Sequence, residues 1–213
     1  MNKIADMREN YDRATLDEEH ANADGMKQFH IWFQEAIDEN VVEPNAMTLS
    51  TINKHGNPAS RTLLLKGLEE ERLLFYTNYN SNKAQEMDAN PNVSICFLWK
   101  EMQRQVRITG KAIKTSKAQS EAYFKSRPKG SQIGAWVSPQ SRSIPNKAYL
   151  AERKEAMIEK FKDVDEVPLP DFWGGYYLEP DTIEFWQGRP DRLHDRLLYT
   201  KEAEKWKIER IAP

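Results

Sequence analysis

Residues 46–77, AMTLSTINKHGNPASRTLLLKGLEEERLLFYT, decide the fold. Residues 46–52 read as a strand. Asn53-Lys54-His55-Gly56-Asn57-Pro58 is turn chemistry. Residues 59–66 read as a second strand, 67–71 as a charged turn and 72–77 as a third strand. Connections this short join antiparallel neighbours, because a parallel pair needs a crossover of a dozen residues or more.

Upstream, Asp24 is an N-cap for a helix running to about Asn40, with Met26, Phe29, Phe33, Ala36 and Ile37 at helical spacing. Residues 1–23 are polar and charged and form a mobile arm or a short helix. Downstream come a helix over 81–90 stopped by Pro91, a buried strand over 93–99 and an alternating strand over 105–111. Ser116-Lys117-Ala118-Gln119 opens a further helix with a capping box, and Arg127-Pro128-Lys129-Gly130 breaks it. Residues 131–137 have no clear assignment and 138–146 form a loop. A helix over 147–162 turns Leu150, Met157, Ile158 and Phe161 inward. Short strands over 176–178, 182–186, 197–199 and 205–209 close the chain. The expected architecture is one α+β domain over 24–213, its antiparallel sheet curled into a barrel that removes the edges.

The 213 residues include 31 Lys+Arg against 33 Asp+Glu, a formal net charge of −2. Bulk electrostatic capture of nucleic acid or an anionic membrane is therefore not expected, and no apolar run reaches the length of a membrane span. The single cysteine, Cys96, lies in Val93-Ser94-Ile95-Cys96-Phe97-Leu98-Trp99 and reads as a buried small hydrophobe. The N-terminus shows no apolar signal core, so a cytoplasmic protein is the expectation. The histidines His20, His30, His55 and His194 lack metal-ligand spacing, which disfavours a metal enzyme. Neither a Gly-rich dinucleotide fingerprint, a phosphate loop nor a Gly-x-Ser-x-Gly elbow is present.

Cations and hydroxyls at strand ends remain. Arg61-Thr62-Leu63-Leu64-Leu65-Lys66 carries a cation at each end of an apolar strand, and an idealised strand places the two on opposite faces. Both serve ligands if the chain bends near Gly67 or if the ligands lie on different sides. Tyr76-Thr77 ends the next strand, and Lys83 opens a helix whose N-terminus can help hold a phosphate. Tyr123, Arg127 and Ser131 fall four residues apart, on one face if the helix continues through Pro128. Residues 184–196, EFWQGRPDRLHDR, run from a strand through a Gly-Pro turn. If the end of that piece is extended, Arg192, His194 and Arg196 share one face, a site for an anionic planar ligand. Read alone, it equally fits a solvated, charged edge strand.

Taken in order, these motifs carry a resemblance. The chain resembles the pyridoxine/pyridoxamine 5′-phosphate oxidase family from Arg8 to Pro213. The most specific parts are 61–66, Ser131-Gln132-Ile133-Gly134-Ala135-Trp136, Phe172-Trp173-Gly174-Gly175 and 184–196. The resemblance implies a split β-barrel with flanking helices, working as a homodimer with FMN at the subunit interface. It assigns cofactor contacts to Arg61, Thr62, Leu63, Leu64, Leu65, Lys66, Tyr76, Thr77, Asn82, Lys83, Gln105, Gln140, Ser141, Trp186 and Arg196. It assigns the substrate's 5′-phosphate to Lys66, Tyr123, Arg127 and Ser131, and the region of the pyridine ring to Arg192, Leu193 and His194. Arg8 and Tyr11 match an arm that folds over the ligand. One position departs: the family usually has Arg before the lysine that matches Lys83, and here it is Asn82.

By the same resemblance, pyridoxine 5′-phosphate or pyridoxamine 5′-phosphate gives hydride from C4′ to flavin N5, and dioxygen reoxidises the flavin to yield hydrogen peroxide. Arg192 and His194 would be the catalytic pair, with His194 either moving a proton or hydrogen-bonding the substrate. A flavin or deazaflavin reductase on the same barrel and a non-catalytic carrier of FMN or pyridoxal 5′-phosphate are the competing readings. Retention of Arg192, His194, Tyr123, Arg127 and Ser131 argues against the reductase, while Asn82 is the support for the carrier.

Overall fold

The computed structural model describes the whole chain except residues 1, 2, 5, 8 and 70. The arm from Tyr11 to Asn22 holds no helix and lies along the barrel. Its backbone N–H groups at Asp12 and Arg13 donate to Gln103 Oε1, and Leu16 is buried in the main core. Helix α1 (Gly25–Asp38) starts where the cap is expected, with the Asp24 carboxylate accepting from the N–H groups of Met26 and Lys27. Its inner stripe is Met26, Phe29, Trp32 and Ala36, whereas Ile37 faces solvent.

Strands β1 (Ala46–Ile52) and β2 (Pro58–Leu64) form the first hairpin. Strand β3 (Gly67–Glu69) replaces the expected turn and pairs with β4 (Arg72–Asn78). Helix α2 (Asn82–Ala89) leads to β5 (Asn92–Trp99) and β6 (Arg104–Lys114). Helix α3 (Lys117–Ser126) is capped by Ser116, and α4 (Lys129–Val137) occupies the stretch that has no clear assignment from sequence. Helix α5 (Lys147–Lys160) follows; Leu150 and Met157 pack inward as expected, while Ile158 lies outside.

Strand β7 (Trp173–Gln187) is continuous where two short strands are expected. It pairs with β6 along its length, and a register shift at Thr109/Gly110 accommodates Pro180. A Cβ at Gly110 would collide with the Glu179 carbonyl, so the bulge requires glycine there. β7 also pairs with β4 over its first part and with β8 (Asp195–Glu202) over its last, and β9 (Lys205–Arg210) pairs with β8. The order β2-β1-β5-β6-β7-β4-β3, with β8 and β9 branching from β7, is an antiparallel split β-barrel with flanking helices, an α+β fold.

Phe29, Phe75, Phe97, Phe185 and Tyr199 are fully buried in the main core. Burying each such ring contributes about 1.5–3 kcal/mol. A second cluster, around Phe124, Ile133, Phe161 and Trp173, fixes the helices α3 to α5 beside the sheet. Cys96 is not in the core. The strand pattern turns it, half-buried, to the opposite sheet face beside Arg107, and burial pushes its thiol pKa up.

Candidate functional site

A corner between the end of β2 at Leu64 and the start of β3 at Gly67 sets up the site. After β2 ends at Leu64, Leu65 N–H donates to the Asn45 carbonyl and Lys66 N–H to the Leu74 carbonyl, carrying the chain from one strand pair to the next. Arg61 and Leu63 face inward and Lys66 stands at the corner. Two adjoining hollows result, sharing Leu63 and Gln140. Lys66 lines the larger, Arg61 the smaller. Leu64 lines the larger and Thr62 the smaller. Leu65 lines neither: its side chain is 4% exposed in the core, and Asn45 holds its N–H and C=O.

The larger cavity, about 680 Å³, brings Tyr123, Arg127 and Ser131 together by a route other than a continuous helix. Arg127 has extended backbone (φ −76°, ψ 149°), α3 stops there, and α4 restarts after Pro128. Tyr76 stacks on Tyr123 at 3.9 Å between ring centroids and on Trp173 at 5.4 Å. Burial pushes the Tyr76 phenol up to about 12 and also raises Tyr123, so both stay protonated donors near neutral pH. Gly174, next to Trp173, faces away from this cavity, and a Cβ there would strike the Tyr79 hydroxyl.

Arg127 lies with its guanidinium carbon 4.8 Å from the Trp173 ring centroid. Its Nη1 is buried without a hydrogen-bond partner. Burial lowers its pKa, yet a guanidinium does not deprotonate in proteins, so the charge stays. A buried unpaired donor costs about 1–3 kcal/mol, more for a charged group, and an anion in the cavity would offset that.

The smaller hollow, about 380 Å³, lies at the N-terminus of α2 and is lined by Arg61, Asn82, Lys83, Gln140 and Ser141 among others. Lys83 Nζ donates to Thr77 Oγ1 at 3.2 Å, Ser81 Oγ at 3.3 Å and Gln140 Oε1 at 3.0 Å. Burial, aided by the Arg61 charge, brings its pKa down to about 8. The Ser81 side chain makes no cap, which leaves the first N–H groups of α2 free of it. Arg61 pairs with Glu86 at 3.0 Å.

The remaining predicted residues sit at the other end of β7. Gln105 pairs with Trp186 and Trp186 with Arg196, so the three side chains form a row on one sheet face. Arg196 Nε donates to Glu184 Oε1 at 2.9 Å and its Nη1 to the Ala212 carbonyl at 2.6 Å. Burial acts to raise the Glu184 carboxyl, and the bonds from Arg196 and Arg107 outweigh it, leaving it below the usual range. His194 packs 4.6 Å from Trp186, and Tyr11 meets both rings. His194 lies below its ordinary pKa through burial and the Arg192 charge.

The shared face expected for Arg192, His194 and Arg196 is not formed. Residues 190–192 make a tight turn in which Asp191 and Arg192 have positive φ (56° and 62°), and β8 begins only at Asp195. Arg192 therefore leaves the turn rather than a strand, and Leu193 is 70% exposed. Arg8 lies outside the described residues.

Tyr76 pairs with Gly175 and Gln105 with Trp186. From 175 to 186 is eleven positions on β7, up to about 36 Å at the strand rise. One chain thus does not unite the two groups. Tyr11, named from sequence, meets Trp186 and His194, whereas the Glu184 hub and the exposed Arg142 were not among the site residues read from sequence. A conspicuous Glu within an aromatic strand was the available signal for Glu184. Among the described residues no cluster of three or more His, Cys, Asp or Glu is placed to hold a metal, and no helix is long and apolar enough to cross a membrane.

Residues 33–158 match the family model for pyridoxamine 5′-phosphate oxidase, and residues 173–213 match that for the pyridoxine 5′-phosphate oxidase C-terminal dimerisation region. The pyridoxine/pyridoxamine 5′-phosphate oxidases of Burkholderia mallei (strain SAVP1) and Burkholderia thailandensis are 49% and 48% identical over 216 residues, covering all of both chains. Among solved structures, PhzG from Burkholderia lata 383, in complex with tetrahydrophenazine-1-carboxylic acid, is similar with a TM-score of 0.88 at 24% identity. That match covers 96% of this chain and 100% of the other. A pyridoxamine 5′-phosphate oxidase-related, FMN binding protein from Nostoc punctiforme gives 0.67 at 20% identity, covering 87% and 96%. The two low-identity structures bear on the fold; the full-length sequence match carries the assignment, and the chain belongs to the pyridoxine/pyridoxamine 5′-phosphate oxidase family.

Proposed function

We propose that the protein oxidises pyridoxine 5′-phosphate or pyridoxamine 5′-phosphate to pyridoxal 5′-phosphate with FMN as cofactor. The observation that carries the reading is the buried Arg127 Nη1 without a partner in a cavity that also holds Lys66, Tyr123 and Ser131. A phosphate monoester supplies the acceptor that this guanidinium lacks, and the Tyr123 phenol is a second donor. The smaller hollow fits a second phosphate, with Lys83, Arg61 and the open first turn of α2 around it. FMN carries one phosphate, in keeping with separated cations and no dinucleotide fingerprint.

A bound FMN would supply the two-electron acceptor for the C4′ hydride, with dioxygen as the final oxidant and hydrogen peroxide as its product. The chain's own part is positioning. Arg127, Tyr123, Ser131 and Lys66 hold the substrate phosphate, and the Tyr76 and Trp173 rings exclude water from the wall beside it. Gln105, Trp186 and Arg196 complete the cofactor's surroundings, while Arg192, Leu193 and His194 complete the substrate's.

Those six residues lie too far along β7 to serve the same chain's cavity, so the working unit is a homodimer in which each chain completes its partner's site. The family's dimerisation region over residues 173–213, which contains most of this second group, supports that arrangement. The test is oxygen uptake with pyridoxal 5′-phosphate formation, comparing pyridoxine 5′-phosphate with unphosphorylated pyridoxine. Uptake with the phosphorylated compound, lost or strongly reduced without the phosphate, is expected. Equal rates with both would refute the phosphate assignment.

A further inference from the structure

The smaller hollow is short of positive charge. Arg61 is matched by Glu86, and its guanidinium also bonds the Thr51 hydroxyl. Asn82, at the first position of α2, contributes an uncharged amide. Lys83 is left as the unmatched cation in the hollow's lining. A phosphate monoester near neutral pH carries a charge of about −1.5 to −2.

Arg142 stands beside this deficit. A turn closed by the Arg142 N–H on the Pro139 carbonyl at 3.0 Å carries Gln140 and Ser141 into the hollow, with Ser141 in the left-handed region (φ 66°). The next residue, Arg142, lines a second depression together with Asn82. Its Nη2 donates to the Asn80 carbonyl at 3.0 Å, next to the Ser81 that precedes α2. Among the described residues no carboxylate pairs with it, and its Nε and Nη1 have no protein partner. Lys54 lines the outer depression as well, and neither it nor Arg142 is in the smaller hollow's own lining. Lys54, however, belongs to the β1–β2 turn, whereas Arg142 directly follows Ser141, which lines that hollow, and bonds the Asn80 carbonyl just before α2.

We propose that Arg142 supplies the second cation for the cofactor phosphate, in the place that Asn82 leaves uncharged. The inference rests on the FMN reading above. A guanidinium held at one corner by Asn80 keeps a donor edge for phosphate oxygens, and that edge is ordered before the ligand arrives.

The test is titration of the full-length, flavin-stripped protein with FMN and with riboflavin, following flavin fluorescence. The wild type binds FMN more tightly than riboflavin. Arg142→Ala weakens FMN binding by about 10–100-fold and leaves riboflavin within about twofold, because one charge-assisted bond to the phosphate is lost. Asn82→Arg placed in the Arg142→Ala background restores FMN binding, which also shows that the variant is folded. An unchanged FMN-to-riboflavin ratio in Arg142→Ala, with the wild-type preference intact, overturns the role of Arg142 and spares the FMN reading. Equal binding of the two flavins by the wild type overturns both.

Discussion

His194 Nδ1 accepts a hydrogen bond from the Arg189 backbone N–H at 3.1 Å. An accepting Nδ1 puts the proton of the neutral ring on Nε2, so His194 faces its surroundings as a donor. Protonating the ring would sacrifice the Arg189 bond, in line with a pKa lowered by burial and by Arg192. A base that must break a backbone bond to take a proton is a poor base. The geometry favours hydrogen bonding to substrate between the two roles open from sequence.

The pH dependence follows in sign. The lowered pKa means that the folded state binds fewer protons than the unfolded state just below the ordinary histidine value of about 6.5. The stability contributed by neutral His194 is present above that value and is lost as pH falls through the folded pKa. Turnover is expected to show an acid limb below about pH 6.5. His194→Asn, which retains an acceptor for the Arg189 N–H and a donor amide, should keep much of the turnover and lose that limb. A pH–rate profile of both proteins checks this, and an acid limb that persists in the variant assigns it to another group.

Arg127 separates binding from stability. Arg127→Met removes a buried guanidinium with an unpaired nitrogen, at the cost of its contact with the Trp173 ring, worth roughly 0.5–2 kcal/mol. Thermal stability should change little or rise. KM for the phosphorylated substrate should rise about 10–100-fold, the worth of a charge-assisted bond. A large drop in melting temperature with unchanged KM would make Arg127 a structural residue.

Gly188 holds the arm. A Cβ at this position would lie 2.8 Å from the Tyr11 ring. Gly188→Ala should push Tyr11 off Trp186 and His194. The next residues of the arm, with Arg13 exposed, should then be cut faster by trypsin while the barrel's melting temperature holds. Limited proteolysis reads this directly, and an unchanged cleavage rate would mean that Tyr11 does not anchor the arm.

Glu184 ties two strands to Arg196. It is buried, with Arg107 and Arg196 on its two oxygens. Glu184→Ala leaves Arg196 without its carboxylate and should cost about 3 kcal/mol, the low end for a broken buried pair because Arg107 is half exposed. Its lowered pKa gives stability that is present above the ordinary carboxylate value and lost as pH falls through the folded pKa. Urea denaturation at neutral and acid pH measures both effects, and a loss well under 1 kcal/mol at neutral pH would remove Glu184 as the support of Arg196.

The local chemistry of the chain was readable where one physical rule dominated. Asp24 and Ser116 cap the helices they were expected to cap, and the first hairpin of 46–77 forms between β1 and β2, whereas the strand over 72–78 pairs with β3 and β7 instead of β2. Trp32 escaped because several apolar residues compete for the α1 stripe, and packing under Arg104 and against Phe185 chooses among them. Pro180 made β7 look like two strands, since it reads as a break, while the structure absorbs it in a bulge of β7 itself, where Asp181 is the extra residue opposite Thr109 and Gly110. The face assigned to Arg192 failed because two residues with positive φ precede β8, a conformation that Asp191 and Arg192 do not advertise. The two groups of candidate residues were named from sequence, but their separation along β7, with Tyr76 opposite Gly175 and Gln105 opposite Trp186, was not, because β7's length was hidden by that same proline.

The two-chain site makes a direct genetic prediction. Assayed with substrate well below the wild-type KM, Arg127→Ala and Arg192→Ala should each lose most of their activity alone, while co-expression should restore activity through mixed dimers that contain one intact site. Sedimentation should show dimers throughout. No recovery in proven mixed dimers would place both residues in the same chain's site.

The central claim is a substrate-reducible flavin. The measurement is the absorption spectrum of the purified, FMN-loaded protein under anaerobic conditions, before and after addition of pyridoxamine 5′-phosphate. The account predicts that the flavin band bleaches, that pyridoxal 5′-phosphate forms in step with it, and that the band returns when air is admitted. A flavin spectrum unchanged by saturating pyridoxamine 5′-phosphate or pyridoxine 5′-phosphate would contradict it.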